Sequence, residues 1–521
     1  MSIGVGVVLV REETPGPGER RFIKAISEDP RFHLCMVAAA DPVETARPAL
    51  VDTALRLEAR VFPAPDRVPT DLPEIAAPPA GLPEALPAGC DVVVDFSHDP
   101  AVLSLAGAAP EGVWRLSAYA PDAGLAEARD RAPVTPVTLT RHRAGAPPEK
   151  ISSARYDTKF LASRNVAQIR EKSVQIALQA LAGLALDGAP ATPDPTAGPA
   201  RKTDRVNGTA RPSFASGDLP GYGLRTVTEL ASRALMAAGE RIGRRPGMFE
   251  LRLGHGDGLG FDPAASIPLT PPAGTFWADP FLYEHDGTLY VFYEVYDYDT
   301  RRGHLDVGRV EADGMVPLGT ALKRPYHLSY PFVFDWDGAI WMIPETHATQ
   351  QLEIWRATDF PTGWELARTA MEGVSMADTV IFEHLGQWWM FTNICHDSFG
   401  DYSTELHLYR IDSPMMNEIE PHPLNPVVID SRTARGGGRV FEQGGKLYRT
   451  SQDNSHGLYG YGLNVMEITR LDMTGYAEHP VRHVTGDFDD DVIACHHMDA
   501  AAGRFVIDVR RPMLSLRKLA W

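Results

Sequence analysis

In the second half of the chain, apolar and aromatic residues fill short runs that each lead to a turn glycine, and the pattern returns five times. The copies are Ala278-Asp279-Pro280-Phe281-Leu282-Tyr283 before Gly287, and Tyr330-Pro331-Phe332-Val333-Phe334 before Gly338. Then come Asp378-Thr379-Val380-Ile381-Phe382 before Gly386, Gly437-Gly438-Arg439-Val440-Phe441 before Gly445, and a weaker Cys495-His496-His497-Met498 before Gly503. In every copy one residue stands eight positions ahead of the glycine: Asp279, Tyr330, Asp378, Gly437 and Cys495, at separations of 51, 48, 59 and 58. A strand-turn-strand unit of that period is too small to bury its own face, so it stacks around an axis as a propeller blade. Residues that open the innermost strands then converge on one axial pocket.

The first half alternates strand-like and helix-like runs. Apolar segments at 3–10, 33–39, 91–95 and 112–116 predict strands; 19–27 and 159–186 predict helices. That order predicts a mainly parallel, doubly wound, Rossmann-like α/β domain over 1–187. Residues 188–220 are rich in Pro, Ala and Gly and read as a linker. A connecting segment, 221–274, holds an amphipathic helix at 226–244 and a strand at 248–253 that closes the ring from its N-terminal side. An all-β five-bladed propeller fills 275–521.

Composition narrows the partners. A formal charge of −18 disfavours nucleic acid and anionic membrane surfaces, both of which need basic patches. Cys35, Cys90, Cys395 and Cys495 show no CxxC or framework spacing, which fits reduced thiols and a cytoplasmic protein. The first ten residues are apolar without a basic leader and read as a buried strand. No run approaches 18 apolar residues, so no membrane span is expected.

At Phe276-Trp277-Ala278-Asp279-Pro280-Phe281 the chain resembles the five-bladed glycoside hydrolases that include arabinanases, β-xylosidases and invertases. A likeness across all five blades is to the N-terminal domain of plant glucosamine inositolphosphorylceramide transferase and its bacterial relatives. It rests on Tyr330-Pro331-Phe332-Val333-Phe334, Met342-Ile343-Pro344-Glu345, Phe360-Pro361-x-x-Trp364 and Asp378-Thr379 with Trp388-Trp389-Met390-Phe391. It continues through Ala434-Arg435-x-Gly437-Gly438-Arg439-Val440-Phe441, Leu447-Tyr448-Arg449-x-x-Gln452-Asp453 and Tyr461-Gly462. The resemblance implies a fold and a carbohydrate context. More weakly, Asp91-Val92-Val93-Val94-Asp95-Phe96-Ser97, Gly112-Val113-Trp114 and Ser163-Arg164-Asn165 resemble a formyltransferase-like Rossmann domain. Active formyltransferases carry Asn and His after the equivalent of Trp114; Arg115-Leu116-Ser117-Ala118-Tyr119 has neither, so a chemically silent domain is expected. Thr14-Pro15-Gly16-Pro17-Gly18 lacks the spacing that cradles a pyrophosphate.

Glycosidic chemistry needs one carboxyl as proton donor and another as nucleophile or base. Asp279 and Asp378 share a register, and Glu345 ends the neighbouring strand of the second blade, as Glu294 does in the first. The expected roles are base or nucleophile for Asp279, proton donor for Glu345, and sugar orientation or pKa tuning for Asp378. A turn-capping aspartate before proline is the plain alternative for Asp279, and a structural acceptor for Glu294. The propeller hydrolases place their proton-donating Glu at the opening of blade four, where this chain has Gly437-Gly438-Arg439. Glycine there is expected to widen the pocket. Arg435, Arg439 and Arg449 suit an acidic or phosphorylated sugar, or else pair with nearby acids. Gln452, Asp453, Tyr330 and Tyr461 are candidates for hydroxyl recognition, and Trp277 for stacking on a ring, against inter-blade packing as the alternative. His496 and His497, adjacent on a strand, would face opposite ways; no metal is expected, and His497 faces the pocket.

Together these residues point to a carbohydrate-active protein acting on a glycosyl bond in surface polysaccharide or glycolipid assembly, by transfer or hydrolysis. Its ligand would be a sugar, nucleotide-sugar or glycan, with no cofactor. The rivals are a non-catalytic glycan-binding propeller and a sugar N-formyltransferase with a recognition propeller.

Overall fold

The computed structural model of the chain describes residues 2–43, 45, 47–65, 72, 75, 81–188, 213–241 and 249–512. It divides into two compact units, Met1–Glu229 with His396–Asp401, and Leu230–Cys395 with Tyr402–Trp521.

The first unit is built on a six-stranded sheet. β1 (Ile3–Val10) is buried along nearly its whole length, the signature of a strand covered on both faces. It pairs in parallel with β2 (Phe32–Ala40) and β3 (Val92–Asp95), and β3 pairs in parallel with β4 (Val113–Leu116). β5 (Val134–His142) and β6 (Glu149–Asp157) extend the sheet antiparallel, giving the order β2-β1-β3-β4-β5-β6. Helix α1 (Pro17–Glu28) starts on proline, whose missing N–H costs nothing there, and buries Phe22, Ile23 and Ile26. Helix α2 (Ala49–Val61) was not expected; it buries Val51 and packs Leu55, one turn on, against the same core, while Leu50, Leu57 and Val61 stay exposed. The short α3 (Leu125–Asp130) is followed by α4 (Ala162–Asp187), which ends at Gly188 with φ 68. Asn165 at the start of α4 is fully buried and bonded to Gly124, Thr135 and Lys159, a structural use of the Ser-Arg-Asn segment. This is a mixed, mainly parallel α/β unit of Rossmann-like type. Most of the expected linker, 189–212, lies outside the described residues. Helix α5 (Leu219–Arg241) begins ahead of the expected 226, and the end of that expectation, 242–244, also lies outside them.

The second unit is a ring of five blades. Blade one runs Thr275–His285, Thr288–Asp297, Arg302–Glu311 and Gly314–Leu322. Blade two runs Ser329–Trp336, Ala339–Glu345, Leu352–Asp359 and Gly363–Ala370. Blade three opens with Met376–His384 and Gln387–Ile394, and blade four with Gly436–Gln443 and Lys446–Ser455. Blade five joins the two ends of the unit. Met498–Ala501 and Arg504–Arg510 form its inner half, and Phe249–His255 and Ile267–Leu269 complete it from the N-terminal side. Trp341, Trp389, Phe391 and their neighbours fill the space between blades two, three and four.

At the repeat position the backbone does something that alternation alone does not foretell. In blades one to three, Asp279-Pro280, Tyr330-Pro331 and Asp378-Thr379 each oppose a single residue of the neighbouring strand. These are β-bulges, and they re-aim the first side chain out of the strand's up-down order. Asp279, Tyr330 and Asp378 have φ of 49, 51 and 52, left-handed values that cost about 1–3 kcal/mol each in a non-glycine residue. Blade four slips over Gly437–Arg439, with Gly438 at φ 141.

Candidate active site at the propeller axis

A plug of three rings closes the axis. Phe281, Tyr330 and His497 meet edge-to-face, with centroids 4.9, 4.6 and 5.0 Å apart pair by pair. Such pairs add about 0.5–1.5 kcal/mol each beyond their burial. The Tyr330 hydroxyl donates to the Gly438 carbonyl and accepts from the Gly438 amide, both at 3.1 Å. His497 is fully buried, its ring nitrogens have no hydrogen-bond partner, and burial pushes its pKa down to about 3. It is a neutral packing element of the plug.

Around the plug the bulges bring the carboxyls together. Asp378 accepts from Arg435 Nε at 2.7 Å and Gln452 Nε2 at 3.3 Å, while its own amide donates to Glu345 at 3.3 Å. Arg435 also stands 3.8 Å from Glu345, and His347 Nδ1 is 2.9 Å from that carboxylate. For Glu345, burial favours the neutral form, but the His347 hydrogen bond and the Arg435 charge prevail and hold it at about 2. Asp378 goes the other way: burial outweighs Arg435, Glu345 adds repulsion, and the carboxyl rises to about 6. Asp279 rises further, to about 8, because burial and the neighbouring Asp508, Asp378 and Glu345 outweigh His496. Glu294 is pushed well up by burial and by Asp279 and Glu345, with His327 3.5 Å away. Within this cluster Asp279 is thus pushed towards its neutral form and Glu345 towards its ionised form, where the sequence predicts a base or nucleophile at Asp279 and a proton donor at Glu345.

His496 and His497 precede the inner strand of blade five rather than lying on it, so the opposite-faces argument does not apply and both approach Asp279. Asp279, His496 and Asp508 each offer one ligand atom, all within 4.8 Å of one another, so these three residues could hold a metal ion. The His496 ring already reaches both carboxyls, and Asp508 raises its pKa against the effect of burial.

Aromatic rings surround the acids in an unbroken chain of contacts. Exposed Tyr459 lies 5.1 Å from the Arg435 guanidinium and meets His496 at 5.2 Å. His496 touches Phe249, which touches Phe276, and Phe276 stacks on Tyr296 at 4.7 Å and 7°. From Tyr296 the chain runs through His327 and His347 to Tyr402. Most of these side chains are only half-buried, while Asp279, Glu294 and Asp378 are buried.

Other expected site residues serve elsewhere. Arg449 is buried in a bidentate pair with Glu478, 2.5 Å on each side. Arg439 binds Asp499 at 2.7 Å beneath the plug, over Phe281 and Phe332. Asp453 pairs with His483 at 3.0 Å, and Tyr461 stacks on His456. Trp277 is no rim residue: it is buried against Tyr293 in the core between blades five and one. The glycines of blade four do not widen the pocket. A Cβ on Gly436 would stand 3.0 Å from Asp378 Cβ, one on Gly437 2.9 Å from the His496 carbonyl, and one on Gly438 2.1 Å from that of Met498. They let the backbone close on its neighbours. Asp508, Asp499, Tyr459 and His347 were missed as site residues; a lone acid inside the apolar run Arg504-Phe505-Val506-Ile507-Asp508-Val509 was the available signal for Asp508. In the α/β unit, Arg115 pairs with buried Asp95 at 2.8 Å, and the His98 ring bonds the Leu116 carbonyl.

Several known proteins match part of this chain. Glucosamine inositolphosphorylceramide transferase 1 of Arabidopsis thaliana is 36% identical over 219 residues, 41% of this chain and 28% of the relative. The protein of that name from Oryza sativa subsp. japonica is 36% identical over 220 residues, 41% of this chain and 29% of the relative. The chain thus spans less than a third of the curated relatives it matches. Among solved structures, a family 117 glycoside hydrolase of Zobellia galactanivorans aligns over 51% of this chain and 91% of its own, with 10% identity and a TM-score of 0.34. Residues 264–500 match the family described as Glucosamine inositolphosphorylceramide transferase 1, N-terminal.

Proposed function

We propose that the propeller is a carbohydrate-active domain that works on a glycosyl bond at the axial mouth, by transfer rather than hydrolysis, in glycolipid or surface polysaccharide assembly. The observation that carries this reading is the gathering of buried carboxyls from separate blades, Asp378 and Glu345 about Arg435 and Asp279 beside His496, with Asp279 pushed up to about 8 and Glu345 held down at about 2. A carboxyl held neutral near pH 8 can give a proton to a departing sugar oxygen, while one held ionised can act as base or nucleophile. Asp378, near 6 and clasped by Arg435 and Gln452, orients the sugar and sustains the negative potential that keeps Asp279 protonated. The half-buried rings supply faces for a sugar to stack on. The transferase names of the relatives support transfer.

A binding-only role is the second reading, favoured by Arg435, whose guanidinium engages Asp378 and Glu345 and so reduces their reactivity. Incubation with a panel of nucleotide-sugars and glycans, with products read by mass spectrometry, separates the two. Turnover that collapses in Asp279→Asn and Glu345→Gln while sugar binding survives supports catalysis. Binding without any turnover in the native chain supports the second reading.

A further inference from the structure

Glu345 is poorly placed to touch a ligand itself. Its side chain is 8% exposed, and both of its oxygens are engaged. Oε1 lies 2.9 Å from His347 Nδ1, and Oε2 accepts from the Asp378 amide at 3.3 Å with the Arg435 guanidinium 3.8 Å away. The His347 side chain, by contrast, is 39% exposed.

That geometry fixes the imidazole. An ionised carboxylate only accepts, so Nδ1 carries the hydrogen of the bond to Glu345, and in the neutral ring Nε2 keeps a lone pair. His347 opens the short turn His347–Thr349, directly after the blade-two strand that ends at Glu345. The turn is pinned on both sides: the buried Thr346 hydroxyl donates to the Gln351 carbonyl at 2.7 Å, and the Ser375 hydroxyl donates to the His347 carbonyl at 3.0 Å. The rings of His327 and Tyr402 stand 5.9 and 6.4 Å from the imidazole. A buried carboxylate behind a half-exposed imidazole holds its tautomer and orientation, and stabilises the imidazolium when the ring takes a proton.

We propose that His347 is the general base of the axial site, and that Glu345 is a positioning residue which acts through it. Within the reading of the axis as a glycosyl-transfer site, on which this inference rests, His347 Nε2 takes the proton of an acceptor hydroxyl. That hydroxyl oxygen bonds to the donor's anomeric carbon as the existing glycosidic bond breaks. The leaving oxygen keeps the electron pair of that bond and takes the proton that Asp279 supplies in the same reading. The Nδ1 hydrogen stays in the bond to Glu345 throughout, so the imidazolium forms beside an anion.

The charges around the ring set the sign of the test. The Glu345 hydrogen bond and charge raise the pKa of His347 and Asp378 adds to them, while burial and Arg435 oppose. Burial lowers the pKa of His327 and raises that of Tyr402, so both neighbouring rings are neutral around pH 7. A base must be unprotonated, so activity falls as pH drops through the pKa of His347. Removing the carboxylate charge moves that limb to lower pH.

Two readouts on the full chain check this. Carbethoxylation of His347 by diethyl pyrocarbonate, followed by peptide mass spectrometry from pH 5 to 8, reports an accessible, unprotonated ring. Its rate should climb to a plateau, with a midpoint that falls by at least about half a unit in Glu345→Gln. On whichever donor and acceptor pair the native chain turns over, His347→Gln should lower kcat at least about 100-fold with KM within about three-fold. The acid limb of kcat/KM should shift in Glu345→Gln together with the carbethoxylation midpoint. A native His347 left unmodified at pH 8, a smaller loss of kcat, or a limb that ignores the titration of His347 overturns the proposal and leaves transfer at the axis standing. A native chain with no turnover on any pair removes the transfer reading and the proposal with it. Modification of the native chain needs no variant, so the first readout decides even if Glu345→Gln does not fold.

Discussion

His496 Nε2 stands 3.3 Å from Asp279 Oδ1. The same ring presents Nδ1 to Asp508 at 2.8 Å, so one imidazole links two buried carboxyls of opposite tendency. Asp279 is raised from 3.8 to about 8, so its contribution to stability is complete below 3.8 and is lost as pH rises through 8. Urea unfolding between pH 4 and 8 should show stability falling by up to about 1.4 kcal/mol per pH unit from this group. Asp279→Asn, which keeps the side chain neutral, should flatten that slope.

His496 is also expected to set the alkaline limb of any activity. Its charge lowers the pKa of Asp279. His496→Gln removes that charge, so the limb near pH 8 should move upward by about 1 unit. A limb that stays in place would assign it to another group.

Arg435 compensates two buried acids at once. Arg435→Met should cost about 3–5 kcal/mol in equilibrium unfolding, because it strands Asp378 and Glu345. Arg435→Lys keeps the charge without the fork and should recover part of that loss. Glu345, released from its cation, should titrate above 2.

The bulges make a separate stability prediction. Tyr330→Phe removes both bonds to Gly438 and leaves a buried amide and carbonyl unpaired, at about 1–3 kcal/mol. Gly438→Ala should be worse, more than about 4 kcal/mol, since φ 141 and the Met498 carbonyl at 2.1 Å both forbid a Cβ. Thermal unfolding of the two variants ranks them.

Much of the architecture was legible because two periodicities are strong. The turn glycines fix the blades, and the apolar runs of β1 and β3 fix a covered parallel sheet. The strand near 248–253 closes the ring as its pattern suggested. Register placed Asp279, Tyr330 and Asp378 at equivalent points, but not the left-handed bulges that aim them, since φ leaves no mark at an aspartate or tyrosine. Partner choice was hidden as well. Arg435 and Arg449 look alike in sequence, yet one meets the acids and the other meets Glu478 on an outer strand. Trp277 could not be told from a rim residue because a buried and an exposed tryptophan share the same neighbours in sequence.

Tyr459 is the ring most open to solvent at the mouth. Tyr459→Ala should leave stability within about 0.5 kcal/mol and weaken sugar binding about ten-fold, as read by titration calorimetry. Tyr459→Phe should keep most of the affinity.

The account depends most on the neutral state of Asp279 at neutral pH. Carboxyl 13C NMR of aspartate-labelled protein reads it directly, with Asp279→Asn assigning the signal. A protonated carboxyl that titrates near pH 8 and vanishes in the variant is the expected result. An Asp279 signal already ionised at pH 6 would contradict the assignment of proton donor and base at this axis.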